Sequence, residues 1–145
     1  MKLSNTGMGT TKLNNIDEGK TFLECIENYV RQNIRLYTID TNQDTLFQFE
    51  QVSQEKKLNS VGQEECSILY GKVKTGEYGI ESELVDIKSG QITNRSVDQA
   101  DMIPFGFCVA VPAGDVNSGV IILQTMGVYG MKTTLQRSLQ KCLAD

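Results

Sequence analysis

Three groups of residues in this chain have types and spacings that could carry chemistry. The first is Gly127-Val128-Tyr129-Gly130-Met131-Lys132-Thr133-Thr134. Glycines let a backbone approach an anion, the free N–H groups of a helix start point at it, and lysine adds charge. A P-loop needs four residues between its glycines and lysine directly after the second. Here two residues separate Gly127 from Gly130 and Met131 intervenes before Lys132, so that motif fails. What remains is a candidate anion or nucleic-acid-backbone site at Gly127, Gly130, Lys132 and Thr133, with Arg137 and Lys141 further along the same predicted helix. The plain alternative is a tight strand-to-helix turn followed by a solvated lysine.

The second group is Glu81-Ser82-Glu83-Leu84-Val85-Asp86-Ile87-Lys88. Acidic residues followed by Asp-x-Lys have the form of the metal-binding arm of divalent-cation-dependent nucleases, where carboxylates hold the ion and lysine positions water. The same residues equally describe an exposed strand face and a hairpin turn. No upstream aspartate at a strand end completes a metal site, so the chain is assigned no catalytic and no metal-ligating residue. The third group is aromatic. Tyr37, Tyr70, Tyr78 and Tyr129, with Phe105 and Phe107, could form a stacking platform for bases. Phenylalanines on a strictly alternating strand more commonly form core, and tyrosines on paired strands cross-strand packing.

Composition removes whole classes of chemistry. Among 145 residues there is no histidine, which excludes Ser-His-Asp and Cys-His nucleophilic pairs and histidine metal ligands. Cys25, Cys66, Cys108 and Cys142 are scattered, with no CxxC pair, so a cysteine zinc site would need all of them to converge. No cofactor is expected. The opening MKLSNTGMGTTKLNN holds no apolar run of secretory length, and the longest apolar run, Val120 to Leu123, is far short of a membrane span. These features predict a cytoplasmic protein with reduced thiols and no membrane contact. Its pI near 4.9 argues against a whole surface built to grip nucleic acid. Yet between Val116 and Ala144 the only charges are Lys132, Arg137 and Lys141, which makes the C-terminal end the candidate basic face.

The elements that must position these groups are read from period and punctuation. Residues 1–14 read as a flexible leader and 15–145 as a single domain. Asn15-Ile16-Asp17-Glu18 has the form of a capping box, and Phe22, Ile26, Tyr29 and Val30 follow at helical spacing, predicting a helix over 17–32. Strands are expected over 35–40 and 45–49, then a mobile polar loop over 51–65. Further strands are expected over 67–73, 78–85 and 91–95, the last two joined by a turn in which Gly90 takes positive φ. Over 103–111, Ile103, Phe105, Phe107, Val109 and Val111 alternate with Pro104, Gly106, Cys108 and Ala110. That strand has one large apolar face and one small face, the latter suggesting close approach by a helix or another backbone. Val120–Leu123 reads as a strand buried on both faces, and Met131, Leu135, Leu139 and Leu143 predict an amphipathic helix over 129–143. The architecture expected is α+β: a single domain with a mostly antiparallel sheet of five to seven strands, packed by an N-terminal and a C-terminal helix.

The run from Ile103 to Thr133 holds an apolar strand, then Gln124, spaced glycines and a Lys-Thr helix start. It resembles the N-terminal region of larger prokaryotic proteins found in phage-defence islands and mobile elements. The resemblance carries over no catalytic residue, and it implies that this domain is the N-terminal module of a longer protein. With no complete catalytic set in a full-sized domain, the function expected is a non-enzymatic interaction or regulatory module of such a system, working through a protein partner or self-association. The alternatives are a nucleic-acid-binding module using the basic helix start, and a metal-dependent nuclease-like domain.

Overall fold

A computed structural model describes residues 12–16 and 18–144. Helix α1 spans Phe22–Asn33, later than the spacing predicts. Glu18 and Gly19 both take positive φ, which ends any helical path from Asn15, and the Asn15 side chain instead accepts the Gly19 N–H. The true capping box is Thr21 with Glu24: Thr21 Oγ1 accepts the Glu24 N–H, and the Glu24 carboxylate accepts the Thr21 N–H. Asp17 lies outside the described residues, as does the expected leader up to residue 11. The end of that leader belongs to the folded body. Leu13 is buried, and its N–H donates to the Val116 carbonyl.

Five antiparallel strands form the main sheet, in the order β1-β2-β3-β6-β7. They are β1 (Tyr37–Asp40), β2 (Thr45–Leu58), β3 (Glu64–Glu77), β6 (Ile103–Pro112) and β7 (Val120–Leu123). The expected loop over 51–65 is instead the distal half of a long β2–β3 hairpin. Strands of 14 residues reach roughly 45 Å, whereas the 12-residue α1 reaches about 18 Å. Beyond Gln54 the hairpin stands clear of the core, and residues 55–65 are all exposed. Ion pairs Lys56–Glu64 and Lys57–Glu65 bridge the two strands, and Asn59 fastens the tip by accepting the Val61 and Gln63 N–H groups. A bulge at Glu50 interrupts the pairing between Phe49 and Gln51.

The alternation of β6 is realised, with Phe105, Phe107, Val109 and Val111 buried. Of the two approaches expected at its small face, a helix or another backbone, no helix among the described residues makes one: Gly106, Cys108 and Ala110 are half-buried and Pro104 exposed on the outer side. The large residues take the helix side because that is where volume must be filled. A second correction concerns β7. It is one of the sheet's two edge strands, β1 being the other, with Val120 and Ile122 about 60% exposed on the outer face and Ile121 and Leu123 turned towards the core.

Between β3 and β6 the chain makes an excursion whose hairpin pairs β4 (Ser82–Val85) with β5 (Ile92–Arg95). The strand expected over 78–85 is thus only its second half. Gly90 takes positive φ in the connecting turn, as read from sequence, and Asp86 accepts the Lys88 and Ser89 N–H groups. After β7 a small hairpin joins β8 (Thr125–Met126) to β9 (Tyr129–Gly130) before helix α2 (Lys132–Ala144). Residues 129 and 130 therefore belong to a strand, not to the helix expected from 129. One apolar cluster unites the inner sheet face with Phe22, Leu23, Ile26 and Val30 of α1, and with Met131, Leu135 and Leu139 at and within α2. Each such side chain contributes about 1.5–3 kcal/mol when fully buried. Edge-to-face rings of Tyr29, Phe47, Phe49 and Phe107 fill the space where α1 crosses the sheet.

Candidate functional site

The glycine-to-lysine segment is built by two anchors. Gly127, with φ +60°, begins the two-residue β8–β9 turn, where a type II′ geometry favours glycine. Met131 is 1% exposed and plugs into the core, so the helix must start at the next residue. The first helical bond runs from the Leu135 N–H to the Met131 carbonyl, 2.8 Å. The N–H groups of Lys132, Thr133 and Thr134 precede it and have no acceptor among the described residues. No acidic side chain lies in this first turn to offset the positive end of the helix dipole.

That first turn forms one wall of a cavity of about 570 Å³. The floor is the end of the sheet: Thr45 of β2, Thr75 and Gly76 of β3, and Ile103 and Phe105 of β6. Ser82 and Arg95 of the β4–β5 hairpin close another side, and Val128, Tyr129 and Gly130 a third. Gly76 is required here, because a Cβ would stand 2.2 Å from the Asp101 carbonyl oxygen, which crosses the end of β3. Thr45 Oγ1 and Arg95 Nε are buried without a hydrogen-bond partner. The remaining Arg95 nitrogens make only long bonds, 3.5 Å to the Glu77 carbonyl and 3.4 Å to that of Ile80. Glu77 and Asp101 also line the cavity, so acidic and basic residues both border it.

The six residues singled out in the sequence do not form one surface. Gly130, Lys132 and Thr133 line this cavity, while Gly127 sits in the adjoining turn. Arg137 and Lys141 line a different cavity, of about 610 Å³, between α2 and β1. Lys141 lies nine positions after Lys132, half a turn round the helix. Arg137 is ion-paired with Asp40. Burial raises the Asp40 carboxyl, but the Arg137 hydrogen bond and charge, with main-chain bonds from Asn42 and Gln43, hold it below its ordinary range.

The acidic group at 81–88 is dispersed. Glu83 pairs across to Asn94, and Asp86 is engaged by its own turn, where the Ser89 and Lys88 N–H groups hold its carboxyl below the ordinary range. Among the described residues no cluster of three or more His, Cys, Asp or Glu is placed to hold a metal ion. Of the aromatic group, Phe105 and Phe107 are core, whereas Tyr37 and Tyr70 stand on the outer sheet face and Tyr129 borders the first cavity. Cys66 and Cys108 are free thiols, and Cys142 Sγ reaches the Cys25 carbonyl at 3.6 Å between the two helices.

A second feature escaped the sequence reading altogether. The register sets Tyr70, Cys108 and Ile122 side by side across β3, β6 and β7, with Ile68, Ala110 and Val120 in the next row. Tyr70 donates its phenol proton to Glu55, which fixes the ring and raises the phenol above its ordinary range. The Gln124 N–H donates to the Gly106 carbonyl, and this sets the ladder's phase. Alternation then sends the Val120 and Ile122 N–H groups into the sheet and those of Ile121 and Leu123 towards the free edge. Among the described residues no strand pairs with that edge. No helix among them is long and apolar enough to cross a membrane. Compared with known proteins, the chain matches no family model, no curated protein and no solved structure.

Proposed function

We propose that this domain is a non-enzymatic interaction module that engages a protein partner, or a second copy of itself, by strand addition at β7. The observation that supports the reading is the character of this edge. Sheet edges are ordinarily blunted by lysine, proline, a bulge or a covering element. Strand β7 is short, four residues reading Val-Ile-Ile-Leu, but among the described residues it carries none of these, and it borders the apolar rows centred on Tyr70 and Ile122. An added strand would gain main-chain hydrogen bonds from Ile121 and Leu123 and cover exposed apolar surface beside them. The resemblance to phage-defence and mobile-element proteins supplies the setting of this proposal. A nucleic-acid interface is less well supported, because Lys132 and Lys141 face different ways and Arg137 is neutralised by Asp40.

The test substitutes Ile122→Lys, at a position 60% exposed, where the fold should tolerate the charge. Sedimentation velocity across a wide concentration range and retention of host proteins on the immobilised domain are compared with wild type. The expected result is association lost in the variant with its circular dichroism unchanged. If neither self-association nor any retained protein depends on residue 122, the proposal fails.

A further inference from the structure

We propose that the cavity at the start of α2 binds a small phosphate monoester that also carries hydroxyl groups, such as a sugar phosphate or a mononucleotide. The helix start supplies unpaired N–H groups and the Lys132 ammonium, a combination suited to a phosphate. A helix start alone does not make a site, and Thr75 provides the independent observation. It occupies an inner-face register position on β3, after Leu69 and Val73, where the pattern calls for an apolar side chain. It is 8% exposed, borders the cavity, and its hydroxyl has no hydrogen-bond partner among the described residues. The residues around the same cavity include two buried polar atoms without partners, Thr45 Oγ1 and Arg95 Nε. Thr45, Thr75 and Arg95 come from three separate strands to border one space, and a ligand oxygen in it would pair with the Thr75 hydroxyl.

Size and charge narrow the ligand. A volume of about 570 Å³ exceeds what inorganic phosphate fills and lies within the range of small-molecule sites. Glu77 and Asp101 would repel a bare polyanion but accept hydrogen bonds from sugar hydroxyls, while Arg95 and Lys132 balance the phosphate. Tyr129, 55% exposed, also lines the cavity. The site shares no residue with β7, so it stands or falls separately from strand addition.

The experiment is calorimetric titration of the whole chain at low ionic strength with ribose 5-phosphate, AMP, inorganic phosphate and ribose. Saturable binding of at least one of the two monoesters is expected, with inorganic phosphate weaker and ribose not binding. Lys132→Gln, at an exposed helix position, should weaken the monoester about tenfold, the size of one lost charge-assisted hydrogen bond. Thr75→Val should weaken it roughly fivefold without loss of thermal stability, since it removes an unpaired hydroxyl. No saturable binding of either monoester, ribose binding as well as ribose 5-phosphate, or an affinity indifferent to Lys132→Gln would each overturn the assignment.

Discussion

Replacing Gly71 by alanine tests how the sheet was shaped around its bulge. Gly71 lies on the inner face of β3, in register with Val52 and Phe107. A Cβ there would stand 2.1 Å from the Gln51 carbonyl oxygen, just past the bulge, and 2.9 Å from the Phe107 ring. On an unobstructed strand the substitution would stabilise by roughly 0.5–1 kcal/mol, because glycine loses more freedom on folding. Overpacking a well-filled core costs about 1–3 kcal/mol. Here the nearest obstacle is main chain, which cannot rotate away as a side chain can, so the cost belongs at the top of that range or above it. The net expectation is destabilisation by about 2–3 kcal/mol, or roughly 5–10 °C in Tm for a chain of this size. Urea unfolding followed by far-UV circular dichroism gives the free energy, and an unchanged m-value shows that the same surface is being unfolded. Gly106→Ala is the internal control. Its nearest neighbour is the movable Gln124 side chain, at 3.3 Å, so it should change stability by no more than about 0.5 kcal/mol. A Gly71→Ala protein as stable as wild type, or two alanine variants indistinguishable from each other, would refute the bulge packing.

Thr21→Ala removes the side-chain acceptor of the α1 capping box and should cost about 1 kcal/mol in chemical denaturation, and an unchanged midpoint would show that α1 starts elsewhere. Asp86 and Asp40 are both held below the ordinary 3.8, so each contributes stability that is complete above the unfolded-state value and lost as pH falls through the folded one. Thermal scans should therefore show Tm falling as the solution is acidified below about pH 4, and Asp86→Asn should flatten that decline. A decline of equal steepness in the variant would mean that the turn does not favour the charged form.

What could be read from the sequence was whatever the chain states locally. The β6 alternation was legible because one face must fill a core and the other need not, and Gly90 marked its turn by the backbone it alone adopts easily. Two capping boxes competed for the start of α1, and only the reversal at Glu18 and Gly19 decided between them. The end of the β2–β3 hairpin was invisible because residues 55–65 are all exposed, so no apolar period is imposed there, and its cross-strand ion pairs leave no pattern in a single strand. Strand β7 failed for the opposite reason. An uninterrupted apolar run of four residues reads alike whether it is buried on two faces or exposed at an edge. Of the cavity only the Gly130-Lys132-Thr133 wall was local. Thr45, Thr75 and Arg95 arrive from strands far apart in sequence, and the one clue was a threonine where β3 alternation called for an apolar side chain.

The position of α2 has a consequence for how the protein is made. Met131, Leu135 and Leu139 complete the layer over a sheet whose last strand of the main ladder ends at Leu123. During synthesis every strand of that sheet therefore leaves the ribosome before the helix that finishes its cover. For that interval the inner face, with Phe105, Phe107 and Val109, lacks the cover that α2 provides. Nascent chains stalled short of Met131 should be the species that chaperones bind and proteases cut, and release of the last turns of α2 should end both.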